Sequence, residues 1–185
     1  MAETAFAARH DLELVALAVA GGRPAFGELV RRHGSAVRAL LRRMGADATL
    51  ADDLAQDAFL AAFEQITEFR GEGTFQAWVK RIAARAYVKR WRRDAQEDLM
   101  AETPEPAADR SDPGASIDLD GALRMLTAPE RVCVTLCYGV GMSHSEVAIA
   151  LNAPLGTVKS HVKRGVDKLR LRLAPAGVRE SRANA

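Results

Sequence analysis

Between Thr157 and Arg164 the chain carries Thr157, Lys159, Ser160, Lys163 and Arg164, a cluster of hydroxyl, ammonium and guanidinium donors. Donors of these kinds bind phosphate oxygens and the acceptor edges of bases in a major groove. Val158, Val162, Val166, Leu169 and Leu173 interleave with them at spacings of three and four. At about 100° per residue these five gather into roughly 80° of arc. The spacing predicts a helix with one buried face. Thr157, Ser160 and Arg164 project to the opposite side, flanked by Lys159 and Lys163.

Such a helix needs a partner to hold it against a groove, and the residues before it supply one. Ser143 followed by Glu146 is a capping box, in which the serine oxygen accepts from a backbone N–H while the glutamate reaches back. A short helix with Val147, Ile149 and Leu151 as its apolar residues is expected from there. It meets Asn152, Ala153, Pro154, Leu155 and Gly156, where the proline disfavours a helical Ala153 and Gly156 is expected to supply the turn residue. Two short helices joined by a tight turn, the second one basic, make a DNA-reading device.

The N-terminal half reads as a helical bundle. Residues 25–44 predict a helix packed through Phe26, Leu29, Val30, Val37, Leu40 and Leu41 and ended by Gly45, Ala46 and Asp47. A second helix is expected to start with Thr49 as its cap, with Leu50, Leu54, Ala58 and Phe59 inward. Asp52, Asp53, Gln56 and Asp57 then face outward as an acidic, amide-bearing edge, unsuited to phosphate and open to a protein partner or to water. Gly71 and Gly73 punctuate a loop, Thr74 caps, and residues 75–93 form a third helix with Phe75, Trp78, Val79, Ile82 and Ala86 on its core side. Beside that side Arg81, Arg85, Lys89 and Arg92 share about 80° of arc as a basic stripe. Tyr87 and Trp91 either pack against another helix or offer flat faces to unpaired bases.

A net charge of +2 conceals a strong segregation. Residues 21–93 hold 14 Lys/Arg and 8 Asp/Glu, residues 94–120 hold 1 and 9, and residues 121–174 hold 8 and 3. The acidic block is rich in Pro, Ala, Asp and Glu without apolar periodicity, so it is expected to be a flexible linker. Its charge either mimics nucleic acid or keeps the tether solvated. The chain therefore reads as all-α, with two small helical domains, 25–94 and 119–174, joined by the acidic linker 95–118. An N-terminal extension or first helix (1–24) precedes them, and a fraying tail (175–185) follows. No apolar run reaches the roughly 18 residues of a membrane span, and Asp11 and Glu13 stand where a signal peptide would be basic. A soluble, cytoplasmic protein is expected. Cys133 and Cys137 lie one turn apart, which suits core packing better than a disulfide framework or zinc site. His10, His33 and His144 have no ligand-like spacing. Nothing points to a catalytic constellation, a metal or a cofactor.

Two segments resemble a known family, the extracytoplasmic-function (group 4) sigma factors of bacterial RNA polymerase. ADDLAQDAFLAAFEQITEFRGEGTFQAWVKRIAARAY resembles the family's second region, with an acidic pair before Leu-x-Gln-Asp/Glu, then Phe-Arg, then Trp-Leu-x-x-Ile-Ala. LTAPERVCVTLCYGVGMSHSEVAIALNAPLGTVKSHVKRGVDKL resembles the fourth region, with Leu-x-x-x-x-Arg and Gly-Thr-Val-Lys-Ser. The resemblance implies that Asp52, Asp53, Leu54, Gln56, Asp57 and Phe59 contact core polymerase at the β′ clamp coiled coil. It implies that Arg70, Thr74, Trp78, Arg81, Arg85, Lys89 and Arg92 hold the minus-ten element, capturing the melted non-template strand. Arg131, Pro154, Gly156, Thr157, Lys159, Ser160, Lys163 and Arg164 would hold the minus-thirty-five duplex. It also implies a linker threading toward the polymerase active-centre and RNA-exit channels, core-polymerase partners in the β′ clamp and β subunits, and a cognate anti-sigma factor.

Two positions depart from the pattern. Arg85 replaces a common asparagine, which favours phosphate or guanine over adenine, and His161 replaces a common arginine, which removes a permanent charge. The competing reading is a stand-alone helix-turn-helix regulator, which would leave the acidic edge and the Trp78 to Ala83 segment without a task.

Overall fold

The computed structural model describes residue 6, residues 8–100 and residues 119–173, with the side chains of 95–100 excepted. Every regular element among them is helical. In order these are α1 (Asp11–Val19), α2 (Arg23–Met44), α3 (Ala48–Glu64), a 3-10 turn (Ile66–Glu68), α4 (Phe75–Met100), α5 (Leu119–Arg124), α6 (Ala128–Val134), a π-helical turn (Thr135–Gly139), α7 (His144–Leu151) and α8 (Leu155–Leu173). Two compact units divide the chain, one built from residues up to Arg90 and the other from Trp91 onward, with Arg43–Gly45 grouped with the latter. Among the described residues no helix is long and apolar enough to cross a membrane.

In the first unit α1 joins the bundle through Leu14, Val15 and Ala18, all buried. An ionic network fastens it to α2. Arg32 donates to Glu28 at 2.7 Å, to Asp11 at 3.0 Å and to the Arg9 carbonyl at 2.8 Å, while the His33 ring meets Asp11 at 2.7 Å. Helix α3 begins earlier than Thr49 suggests, because Asp47 is the cap, its Oδ1 accepting from the Leu50 N–H at 2.8 Å. The interior of α3 comprises Ala51, Leu54, Ala55, Ala58, Phe59 and Ala62. Its four alanines take little room, and Leu54 and Phe59 are its large buried groups. Phe26, Phe63, Phe69, Phe75 and Trp78 form one aromatic cluster with centroid separations between 5.0 and 6.2 Å, mostly edge-on or tilted.

Helix α4 is rotated relative to its sequence-predicted core side. Phe75, Val79, Ala83, Ala84, Tyr87 and Val88 are buried, whereas Trp78, Ile82 and Ala86 lie half-buried at the edge. The reason is that two alanines and a tyrosine fit a close interface that a hydrophobicity pattern undervalues. Tyr87 therefore packs, and Trp91 is half-buried. The backbone of α4 runs through Met100, so the first six positions of the expected linker 95–118 continue the helix; residues 101–118 lie outside the described residues, as does the tail from Ala174.

The second unit packs α8 across α5, α6 and α7. Leu123, Leu126 and Val134 form a core cluster with Val166 and Leu169 against it. Val158, Val162 and Gly165 are the buried positions of α8. Gly165 marks the crossing with α6, since a Cβ there would meet Val134 Cγ2 at 2.6 Å.

Candidate nucleic-acid and protein interfaces

The helix-turn-helix geometry is built by short-range chemistry. Ser143 Oγ accepts from the Glu146 N–H at 3.2 Å and Glu146 Oε2 accepts from the Ser143 N–H at 2.7 Å, closing the expected capping box. Helix α7 ends differently from expectation. Asn152 adopts φ 50° and ψ 47°, the left-handed conformation its short amide side chain tolerates, and it makes the turn. Gly156 lies within the first turn of α8, exposed, with open space where a Cβ would stand. Pro154 precedes the helix, its carbonyl accepting from the Val158 N–H at 3.2 Å. Ile149 is 80% exposed, so only Val147 and Ala148 of α7 are buried.

Helix α8 presents Thr157, Lys159, Ser160, Lys163 and Arg164 to solvent, with Pro154 and Gly156 also exposed. Arg131 belongs to α6 and not to this helix. It is half-buried, and its buried Nε has no hydrogen-bond partner among the described residues. One residue that the charge pattern leaves unremarked, Glu130, organises the exposed side from behind. Glu130, 3% exposed, accepts from Lys168 Nζ at 2.7 Å and from the Thr127 N–H at 3.2 Å, and Arg164 Nε lies 3.6 Å from its other oxygen. Burial alone would raise the Glu130 carboxyl, but the Lys168 ammonium and the Thr127 amide outweigh it and hold it below its ordinary value. His161 Nδ1 sits 3.1 Å from Arg164 Nη2. The capping-box spacing of Thr127 and Glu130 was the one signal in the sequence for this arrangement.

In the first unit Asp52, Asp53, Gln56 and Asp57 are exposed along α3. Arg38 approaches Asp52 at 3.6 Å and partly offsets the edge. Leu54 and Phe59, grouped with the acidic residues as polymerase contacts, are 8% and 6% exposed and support the edge from inside. Arg70 and Thr74 are exposed in the loop that Gly71 and Gly73 shape with φ of 76° and 88°, values that bulkier residues resist. Thr74 Oγ1 accepts from the Ala77 N–H at 3.1 Å and so starts α4. Trp78 leans on Phe69 and Phe75, which fixes the loop's base. Arg81, Arg85, Lys89 and Arg92 are all exposed along α4.

Two family models match the chain, "Sigma-70 region 2" over residues 29–97 and "Sigma-70, region 4" over residues 116–169. The chain is 36% identical to the ECF RNA polymerase sigma factor SigM of Mycobacterium tuberculosis, over 87% of this chain and 83% of that protein. It belongs to the extracytoplasmic-function sigma factors. It is also 31% identical to the RNA polymerase sigma factor NccH of Alcaligenes xylosoxydans xylosoxydans, over 86% of this chain and 92% of NccH. Against the ECF RNA polymerase sigma factor SigE of Mycolicibacterium smegmatis the identity is 34%, but the match spans only 62% of SigE. Among solved structures the chain resembles CnrH in complex with the cytosolic domain of CnrY, at TM-score 0.51, 31% identity and 86% and 94% coverage of the two chains. It also resembles the sigma factor RpoE in complex with the anti-sigma factor NepR from Bartonella quintana, at TM-score 0.54, 25% identity and 80% and 96% coverage. Family membership engages both units of this sigma factor, so a stand-alone helix-turn-helix regulator is set aside.

Cys133 and Cys137 of this sigma factor sit within α6 and the π turn. Burial pushes the Cys133 thiol up to about 11, with nearby Cys137 adding to it, and burial raises Cys137 as well. Protonated, inward thiols of this kind behave as packing groups.

Proposed function

We propose that this sigma factor binds core RNA polymerase through the exposed face of α3, reads a minus-thirty-five duplex with α8 and holds a melted minus-ten strand along the 70–74 loop and α4. It carries no catalytic chemistry of its own and works in the cytoplasm. The observation that carries the reading is the segregation of the surface. Asp52, Asp53, Gln56 and Asp57 share one exposed edge, while Arg81, Arg85, Lys89 and Arg92 share another helix and Lys159, Lys163 and Arg164 a third. Carboxylates are repelled by phosphate, so the acidic edge suits a protein, whereas the two basic faces suit nucleic acid. Leu54 and Phe59 keep the α3 edge rigid from beneath. Arg131, half-buried on α6 with its Nε enclosed, would meet the same duplex only through its terminal guanidinium nitrogens. The complex of the sigma factor RpoE with the anti-sigma factor NepR supports a similar partner for this chain.

The test is run-off transcription with purified core polymerase on a promoter library. Start sites sharing two spaced motifs are expected only when the protein is present. Asp53→Ala combined with Gln56→Ala should weaken core assembly, while Arg164→Ala should leave assembly intact and weaken promoter selection. Absence of core binding by the wild-type protein would overturn the reading.

A further inference from the structure

His161 occupies the helix that the proposed function assigns to duplex reading, yet its contacts are unlike those of its cationic neighbours. Its Nδ1 lies 3.1 Å from Arg164 Nη2. A guanidinium has donors only and stays charged, so Nδ1 must be the acceptor. The single proton of the neutral ring then resides on Nε2, leaving that N–H as the ring's remaining polar group.

Arg164 is itself placed. Its Nε lies 3.6 Å from Oε1 of Glu130, and the other oxygen of that buried carboxylate accepts from Lys168 and from the Thr127 backbone. Glu130 is the third residue of α6 and closes its capping box, so it cannot follow a mobile side chain. One chain of contacts thus runs from the start of α6 through Arg164 to the imidazole. At about 100° per residue Thr157, His161 and Arg164 fall within roughly 60° of arc, so the imidazole shares a stripe with two residues expected to face DNA.

The geometry points to His161 as a base-reading residue of the minus-thirty-five interface, donating from Nε2–H to a base-edge acceptor in a tautomer selected by Arg164 and anchored by Glu130. This rests on the proposed function. The acceptors a major groove offers to such a donor are purine N7, guanine O6 and thymine O4. A neutral ring brings one directed donor and no fixed charge. It therefore adds discrimination between base pairs rather than salt-dependent affinity. Glu130 is a positioning residue here, acting through Arg164.

The experiment uses holoenzyme assembled from core polymerase and the full chain, scored on promoters with a randomised minus-thirty-five element. His161→Ala is expected to lose about tenfold of discrimination at one base pair, with the minus-ten preference and core affinity as in wild type. His161→Gln should shift preference at that same pair toward adenine, which an amide contacts with paired donor and acceptor. A purely structural role would not produce such a shift. Glu130→Gln should blunt discrimination at the same pair while other pairs hold. If His161→Ala retains the full minus-thirty-five preference, or weakens all sequences uniformly, the inference is overturned while the proposed function stands. If Glu130→Gln weakens every pair equally, the anchoring role is overturned. If the wild-type holoenzyme shows no promoter preference, the proposed function fails and this inference with it.

Discussion

Glu28 illustrates how one buried carboxylate couples the folding of this sigma factor to pH. Hydrogen bonds from Arg31 and then Arg32 lower its pKa from 4.5 to about 2. A depressed folded-state value means the unfolded chain takes up the proton first as pH falls. The stabilisation is therefore complete above pH 4.5 and is lost as pH drops toward 2. Thermal melts across that window should show Glu28→Gln falling less steeply than wild type, because it has no carboxylate to protonate. Asn152 gives a second test. With φ at 50°, Asn152→Ala should cost about 1–2 kcal/mol of stability in chemical denaturation, whereas Asn152→Gly should be nearly neutral. Asparagine at a helix end was visible in the sequence, but the neighbouring Gly156 drew the turn assignment to itself. Only the backbone distinguishes the two.

Among the elements, the crossing of α6 and α8 is set by the absence of a side chain at Gly165. Adding a Cβ brings it within 2.6 Å of Val134 Cγ2, so the helices must shift. Overpacking of this kind costs about 1–3 kcal/mol, against a gain of about 1 kcal/mol from replacing a helical glycine by alanine. Gly165→Ala should accordingly lower the urea midpoint by an amount equivalent to about 1 kcal/mol. In a Val134→Ala background the same change should become stabilising, and a double-mutant cycle measures that coupling. Helix α4 teaches the companion lesson. Its periodicity revealed a basic stripe and an aromatic start, but its buried face rests on Ala83, Ala84 and Tyr87. Small residues register weakly in a hydrophobicity pattern although they permit the closest approach, so the rotation was not legible.

At the scale of the whole molecule, phosphate binding and base reading should separate by their salt dependence. A side chain that neutralises one phosphate of duplex DNA contributes about 0.9 to the slope of log affinity against log salt. Lys163→Ala is expected to reduce that slope by about this much for all sequences alike, as fluorescence anisotropy on promoter and scrambled duplexes can show. His161→Ala should leave the slope nearly unchanged. By itself the sequence determined the all-helical class, the opposite charges of the blocks, the family through its two motif regions, and which exposed side chains carry donors or carboxylates. These are local properties, written in period, charge and capping chemistry. Tertiary structure decided that Tyr87 packs inward, that Ile149 faces solvent, and that Glu130 reaches across to Arg164 and Lys168. Those outcomes depend on which helices meet and how closely. Pairings between residues as far apart as Glu130 and Lys168 leave no periodic trace, because a carboxylate on one helix and an ammonium on another look the same in sequence whether they touch or not.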